Sequence, residues 1–331
     1  MKAIVFDKLG LPTEVLQLRE VSKPEPGAGE VLIKMLNAPI NPGDFLYIQN
    51  LYPEPKKPVL PGQVAGNSGT GIVVGNGPGS KIAEGTLVVA YYFNTWAEYA
   101  VIPEKWLIPL PSDAPLEKAG QLMSLISAYD VVAASKTKKG DWLAVTAGNS
   151  IVSIAAMQMA RRRGIRVIAL VRKQPVGLDL RQLGAEEVID LSDLGGDTVE
   201  QRVRALTAGA GLNGIIDSVG GPLLESLLHC TQPFAKVIIY GNMDERSFKA
   251  HNIEILMKGL IIEAYIYRHF FTPPVPEEKE MIREIVDMTK DPSFIVPVSG
   301  RYRLDEHQTA IQKSFYSTAG STTGKGLFII A

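Results

Sequence analysis

Between Asp141 and Tyr267, short strand-like runs alternate with stretches whose apolar residues recur at helical spacing, and few folds can accommodate that alternation. The strand-like runs are "DWLAVTAG" (141–148), "RVIALVR" (166–172), "EEVIDL" (186–191), "LNGIIDSVG" (212–220), "AKVIIYG" (235–241) and a last apolar segment, "GLIIEAYIY" (259–267). Between them lie "SIVSIAAMQMARRRG" (150–164), "GLDLRQLG" (177–184), "DTVEQRVRALTAG" (197–209) and "PLLESLLHCTQP" (222–233), all helix-like. Asp197 is a candidate N-cap, and Gly184 and Gly209 are candidate stops. An apolar helix over 116–135 leads into the series. Strands and helices in strict turn predict an α/β unit with a doubly wound parallel sheet.

The first 110 residues read differently. "KAIVF", "EVLIKML", "GTGIVVG", "GTLVVAYYF" and "WAEYAVI" are short β-like runs punctuated by Gly and Pro, which predicts a β-rich unit. After the alternating series, "TPPVPEE" (272–278) breaks the pattern; a helix near 276–290 and a strand-like tail, "GKGLFIIA", follow. A length of 331 residues suits two domains. We expect a catalytic unit made of 1–118 and 269–331, with a nucleotide domain, 119–268, inserted between its two parts and substrate in the cleft.

A net charge of −1 gives no field that would draw nucleic acid or an anionic membrane. No apolar run reaches the roughly 18 residues of a membrane span. The start, "MKAIVFDKLG", has one Lys and a short apolar run before Asp7, which predicts a strand rather than a leader. The single cysteine, Cys230, allows no internal disulfide and fits a reducing compartment, so the cytoplasm is expected.

An apolar strand, then "TAGNSIVS", then a helix is where a dinucleotide-binding turn belongs. Free N–H groups and the positive dipole end at the helix start favour a pyrophosphate. Of the G-x-G-x-x-G pattern only Gly148 is a glycine; Ile151 and Ser153 stand where others would be. The alternative is an ordinary strand-to-helix turn with Asn149 or Ser150 as N-cap. The next strand ends "VIALVRKQP", with Arg172 and Lys173 where an NAD site usually has a carboxylate. A guanidinium can hold a 2′-phosphate in a fork, so NADPH is expected over NADH; the alternative is that both cations are solvated surface charges. "RRR" at 161–163 suits a last helical turn and needs no ligand.

The four histidines, His229, His251, His269 and His307, lack the i, i+3 or i, i+4 spacing of a helical zinc site. Cys230 adjoins His229, but neighbours on a helix do not face one site. No G-x-S-x-G elbow marks a hydrolase. What remains is "INPGDFLYIQNLYP" (40–53), a loop by its two prolines and glycine, yet rich in hydrogen-bonding side chains. Asn41 and Asp44 can close Asx-turns there, and with Gln49 would fix the loop.

These segments resemble the zinc-independent medium-chain dehydrogenase/reductase superfamily, over nearly the whole chain. "NTWAEYAVIP" (94–103) and "GKGLFII" (324–330) are similar to its N- and C-terminal signatures. Two branches compete: trans-2-enoyl thioester (enoyl-CoA or enoyl-ACP) reductases and quinone oxidoreductases. "INPGDFLYIQNLYP" is similar to the I-N-P-x-D-x-x-x-I-Q-G-x-Y-P loop of the first branch, "GNSIVS" to its N-S-x-V-G turn and "LVRKQ" to its V-V-R-D-R. "YGNM" (240–243) matches a Y-G-G-M found in both. Leu46, Asn50 and Ser68 depart from the enoyl reductase pattern, and "AYIYRHF" (264–270) replaces its Phe-Trp-rich segment near the acyl pocket.

The resemblance implies a Rossmann sheet inserted into a GroES-like catalytic domain and NADPH-dependent reduction of an activated C=C bond. It makes Tyr52 the proton donor; a phenol, with a pKa of about 10, is protonated at neutral pH. It implies cofactor contacts at Ser124, Asn149, Ser150, Ile151, Val152, Arg172, Lys173, Gln174, Tyr240, Gly241, Asn242, Met243, Ala264, Tyr265, Ile266 and Lys325, the last reaching a phosphate. The substrate is expected to be an enoyl thioester, with a quinone or enone as the alternative; a cofactor-binding protein without turnover is a third. The apolar edge "LIIEAYIY" predicts a homodimer joined there.

Overall fold

The computed structural model describes residues 1–52, 57–315 and 323–330. Pro53, at the end of the polar stretch, and Ala331, at the end of the expected last strand, lie outside the described residues. The β-rich N-terminal part holds β1 (Lys2–Phe6), β2 (Gln17–Glu20), β3 (Glu30–Pro39), β4 (Gln63–Val64), β5 (Ser68–Asn76), β6 (Leu87–Tyr91), β7 (Tyr99–Pro103) and β8 (Leu107–Pro109), with two short helices, α1 (Pro12–Val15) and α2 (Pro42–Ile48). The long β3 organises them. It pairs antiparallel with β5 and β7, and Val31, Ile33 and Met35 alternate into a core with Val73, Val88, Ala100 and Ile102.

The chain leaves through α3 (Leu116–Ala119) and α4 (Leu122–Ala134). Then β9 (Trp142–Val145), α5 (Ile151–Arg162), β10 (Arg166–Val171), β11 (Glu187–Asp190), α6 (Val199–Leu206), β12 (Leu212–Asp217), α7 (Gly221–His229), β13 (Thr231–Ile239), α8 (Asn252–Lys258) and β14 (Ile261–Ala264) follow. Their sheet runs β11-β10-β9-β12-β13-β14, every neighbouring pair parallel. Leu143 and Val145 of β9 face α4 and α5, whereas Trp142 and Ala144 face the other layer, with Val203 of α6 and Leu227 of α7. Burial on both faces explains the near-continuous apolar runs. The order reverses between β9 and β12, which opens a crevice at the carboxyl ends of the strands.

After α9 (Lys279–Lys290) the chain returns to the first sheet as β15 (Val298–Tyr302), α10 (His307–Phe315) and β16 (Lys325–Ile329). β16 pairs antiparallel with β3, Phe328 opposite Ala38. Helix α9 buries Ile282, Ile285 and Val286 in the same cluster as α4 and α5. Lys118 of α3 locks its end, donating to the carbonyls of Thr289 (2.9 Å), Asp291 (3.1 Å) and Phe294 (2.7 Å). Such a cation is favourable at a helix C-terminus.

Several local expectations are corrected. Residues 177–184 form turns, not a helix: Gly177 and Gly184 have φ of +75° and +105°, and Asp179 Oδ1 accepts Arg181 N at 2.9 Å. Local side-chain bonding of this kind competes with helix. The cap of α6 is Thr198 rather than Asp197; Thr198 Oγ1 accepts Gln201 N at 3.2 Å, and Gln201 Oε1 accepts Thr198 N at 2.7 Å. The last apolar run makes a strand only over Ile261–Ala264. The polar stretch at 40–53 is largely helix α2, with Pro42 at its first turn. Proline is tolerated there because that N–H has no partner within the helix.

Candidate active site

The site grows from the start of α2. Asp44, 1 % exposed, accepts Asn41 N at 2.6 Å through Oδ2 and Asn67 N at 2.8 Å through Oδ1. One carboxylate thus satisfies the helix entry and ties it to the turn before β5. Asn41 Nδ2 lies 3.4 Å from Ser68 Oγ, at the position where the sequence departs from the enoyl reductase pattern. "TW" in the N-terminal signature supports the same turn: Thr95 Oγ1 donates to Ser68 O at 2.9 Å, and the Trp96 ring fills the space beside Gly66, where φ is +89°.

Lys325, at the start of β16, points its ammonium into this centre. It donates to Asn41 Oδ1 and to Ser124 Oγ, the latter at 2.9 Å. Ser124 and Lys325, paired in the sequence analysis with a cofactor contact and a phosphate, are therefore partners of each other and of the α2 cap. Burial pushes the Asp44 carboxyl up to about 7, against the pull of the two N–H groups and of Lys325. Burial also brings the Lys325 ammonium down to about 8, with the Asp44 charge opposing.

Tyr52 is half-buried beside these groups. Its hydroxyl lies over Gly43, in the space a side chain there would occupy. Its ring meets that of Phe270 edge-on, centroids 5.0 Å apart, and its carbonyl accepts Lys57 Nζ at 2.6 Å. Burial, and then the Asp44 charge, raise the phenol above its ordinary pKa. Tyr52 therefore holds its proton firmly at neutral pH. A side chain at position 43 would collide with that hydroxyl, a role for Gly43 that sequence reading does not reveal. A second phenol, Tyr91 at the end of β6, is 6 % exposed and packs edge-on against Tyr267 at 4.7 Å.

The remaining expected contacts lie on four loops at the carboxyl edge of the parallel sheet. After β9, Gly148 passes so near β10 that a Cβ would meet that of Ala169 at 3.0 Å. Ser150 caps α5, accepting Ser153 N at 3.2 Å, and Ser153 Oγ returns to Thr146 O at 3.0 Å. So the cap predicted for Asn149 or Ser150 is Ser150, and Ser153 fills a glycine position with an internal hydrogen bond. Ile151 is buried; Asn149 and Val152 are half-buried.

After β10, Arg172, Lys173 and Gln174 are exposed, and Gln174 N donates to Asp190 Oδ2 at 2.8 Å. The Arg172 guanidinium makes no hydrogen bond or ion pair among the described residues. After β13, Tyr240 N donates to Asp217 O at 2.9 Å, and Gly241 crosses Ser218 so closely that a Cβ would lie 2.8 Å from its carbonyl oxygen. Asn242 and Met243 are exposed, as are Ala264, the last residue of β14, and Ile266 beyond it. Tyr265 spends its hydroxyl on Asp130 Oδ2 at 2.8 Å.

Two features of this edge are absent from the sequence reading. Asp217, fully buried at the end of β12, accepts Thr146 Oγ1 at 2.8 Å and Gly220 N at 2.8 Å, bracing the crevice where strand order reverses. Asp130 of α4 also grips Arg268, and Arg268 Nη1 reaches Glu278 Oε1 at 2.8 Å. Among the described residues no group of three or more His, Cys, Asp or Glu side chains is gathered as for a metal, and no helix is long and apolar enough to cross a membrane.

Comparison with known proteins agrees with both halves of this architecture. The alcohol dehydrogenase GroES-like domain family matches residues 27–112, and the family described as zinc-binding dehydrogenase matches residues 152–287. The chain is similar to the mitochondrial enoyl-(acyl-carrier-protein) reductase of Bos taurus, 28 % identical over 324 residues that cover 95 % of this chain and 85 % of that one. Among solved structures, a mycobacterial protein complexed with NADPH superposes with a TM-score of 0.83 at 25 % identity, over 99 % of this chain and 100 % of that one. The Escherichia coli quinone oxidoreductase complexed with NADPH gives a TM-score of 0.84 at 24 % identity, with the same coverage. With one matched domain on each unit of the fold, the chain carries the two domain types of the medium-chain dehydrogenase/reductases and is similar to them over nearly its whole length.

Proposed function

We propose that this chain uses NADPH to reduce the activated C=C bond of a trans-2-enoyl thioester, with Tyr52 as the proton donor at the α-carbon. The observation that carries it is a protonated, partly buried phenol seated on Gly43, beside the Asp44–Lys325–Ser124 cluster and facing the segment after β14. The curated relatives at 28 % identity are enoyl reductases, which supports the substrate class.

The carboxyl edge of the sheet fits the cofactor. Gly148 and Gly241 keep side chains out of the crevice, the start of α5 offers N–H groups to a pyrophosphate, and Arg172 is exposed and unengaged for a 2′-phosphate. Asn149, Ser150, Ile151 and Val152 would line the pyrophosphate, Lys173 and Gln174 the ribose phosphate, and residues 240–243 and 264–266 the reducing ring. When bound, NADPH supplies the hydride for the β-carbon.

The chain's own task is then to handle charge and a proton. Negative charge grows on the thioester carbonyl oxygen, and donors aimed at it lower the barrier. The Lys325 ammonium and the Ser124 hydroxyl, bonded to each other in this cluster, would supply such donors. Tyr52 gives its proton to the α-carbon, whose developing carbanion is a far stronger base than a phenolate. The raised pKa of Tyr52 prevents early loss of that proton.

A second reading, reduction of a quinone or enone, is favoured by the likeness to quinone oxidoreductases and by the aromatic lining of the cleft. NADPH consumption against enoyl thioesters, enones and quinones separates the two. With Tyr52→Phe, thioester turnover is expected to fall about 10²-fold or more, while quinone reduction, which needs no acid at carbon, is spared. Unchanged thioester turnover would remove Tyr52 from the mechanism. Binding of NADPH with no turnover on the whole panel would mark a cofactor-binding protein instead. The proposal extends to a homodimer through β14, an edge strand with Ile261 46 % exposed, and to a reducing compartment such as the cytoplasm, suited to one buried thiol.

A further inference from the structure

We infer that the segment after β14 is a fixed aromatic wall that limits the site to substrates with a short or compact chain beyond the double bond. This rests on the proposed reduction beside Tyr52. Two ring contacts join the N-terminal unit to that segment. Tyr52 meets Phe270 at 5.0 Å and Tyr91 meets Tyr267 at 4.7 Å, both edge-on. Tyr267 packs against the cores of both units, so it spans the cleft rather than hanging over it. A chain running past Tyr52 towards this side must displace one of these rings.

The wall is not free to swing. Arg268, between Tyr267 and Phe270, donates to Asp130 of α4 through Nε at 2.8 Å and also through Nη2, and to Glu278 through Nη1 at 2.8 Å. His269 Nε2 lies 2.8 Å from the other Glu278 oxygen, which also accepts Val275 N at 3.1 Å. Tyr265 Oη donates at 2.8 Å to Asp130 Oδ2, the oxygen that also accepts Arg268 Nε. Residues 265, 268 and 269 are thus tied before and between the two rings. A carboxylate–guanidinium fork with a buried carboxylate and a half-buried guanidinium is costly to break by removing one partner. Arg268 is therefore a positioning residue for the rings.

The test is a length series. Values of kcat/KM are measured for trans-2-enoyl thioesters of 4 to 16 carbons and for straight-chain enones of increasing length. The enzymes are the wild type, Phe270→Ala and Arg268→Gln. A pocket that rejects methylenes discriminates by roughly 10-fold or more for the first that does not fit. The wild type is therefore expected to lose at least about 10-fold between the shortest and middle lengths. Phe270→Ala should shift that fall to longer chains. Arg268→Gln should flatten it mainly through KM for long chains, with kcat for short ones less affected, a split that simple destabilisation would not produce. If Phe270→Ala does not fold, judged by circular dichroism, Phe270→Leu is measured in its place. A flat or rising wild-type profile, or one that the ring variants leave unmoved, overturns the wall and leaves the proposed function standing. Activity on enones alone overturns the thioester assignment, and the wall is then judged on the enone series. A wholly inert panel overturns both.

Discussion

Substituting Gly43 should separate stability from activity, because one added methyl group meets the phenol proposed as proton donor and, among the described residues, nothing else. Gly43 sits in the first turn of α2, and its φ lies outside the left-handed region, so alanine adopts its conformation without strain. In a helix alanine is better than glycine by up to about 1 kcal/mol. The methyl group would lie well inside contact distance of Tyr52 Oη, and 3.4 Å from Cζ. The ring has to retreat by roughly 1 Å, and a misplacement of that size in a catalytic group costs on the order of 10²-fold. Gly43→Ala is therefore expected to melt at or slightly above the wild-type temperature while kcat for an enoyl thioester drops about 10²-fold. A double-mutant cycle sharpens the test. In Tyr52→Phe the hydroxyl is gone, and the ring carbon at 3.4 Å is already an ordinary contact. Adding Gly43→Ala to that background should cost less than about twofold. Equal losses in both backgrounds, or a Gly43→Ala enzyme with normal kcat, would refute the placement of the phenol on Gly43 as the reason for the glycine.

Other outcomes follow from the same geometry. Arg172→Ala removes a charge-assisted contact worth about 1.5–3 kcal/mol, so NADPH affinity by titration should fall roughly 10- to 100-fold with NADH affinity unchanged; an equal loss for both would make Arg172 a surface cation. Asp44 titrates near 7 in the folded chain against 3.8 in its absence, so the folded state binds the extra proton in that window and Asp44 makes stability fall as pH rises through it. Lys325 titrates near 8 against 10.5, so there the unfolded chain binds the extra proton and Lys325 makes stability rise with pH. In thermal melts across pH, Asp44→Asn should remove the first trend and Lys325→Met the second; profiles parallel to wild type would contradict both assignments. Ile261→Lys on the β14 edge should give a monomer by light scattering, and a monomeric wild type would end the dimer proposal.

The parallel sheet was legible because its strands are buried on both faces, so apolar runs such as 142–145 and 166–171 stand out without tertiary information. The order of those strands was implied only by the family resemblance. Helix α2 was hidden by its own cap. Asn41, Pro42 and Gly43 read as turn residues, yet each is tolerated or favoured at a helix start. The opposite error at 177–184 has the opposite cause: apolar spacing suggested a helix, but Asp179 and two glycines in left-handed geometry hold turns. Thr198 displaced Asp197 by a single residue, within the usual uncertainty of helix ends.

Site residues divided along the same line. Tyr52 was nominated through the family resemblance, and Arg172 through residue type and its position at the end of a strand. Asp217 and the Asp130–Arg268 pair could not be found in this way, because each acts through a partner distant in sequence: Thr146 lies 71 residues from Asp217, and Asp130 lies 138 from Arg268. Lys325 shows what residue type alone leaves out. As a cation near the tail it suggested a phosphate; as the first residue of a strand paired with β3 it is carried into the cap of α2, where its field acts on Asp44. That pairing gives the discontinuous catalytic unit a physical role. The last strand brings the ammonium of Lys325 to Asn41 and Ser124, so this charge reaches the cap of α2 only once the chain's two ends have joined in a single sheet. A chain cut before β16 would keep its nucleotide crevice and lose the charge that offsets Asp44 beside Tyr52.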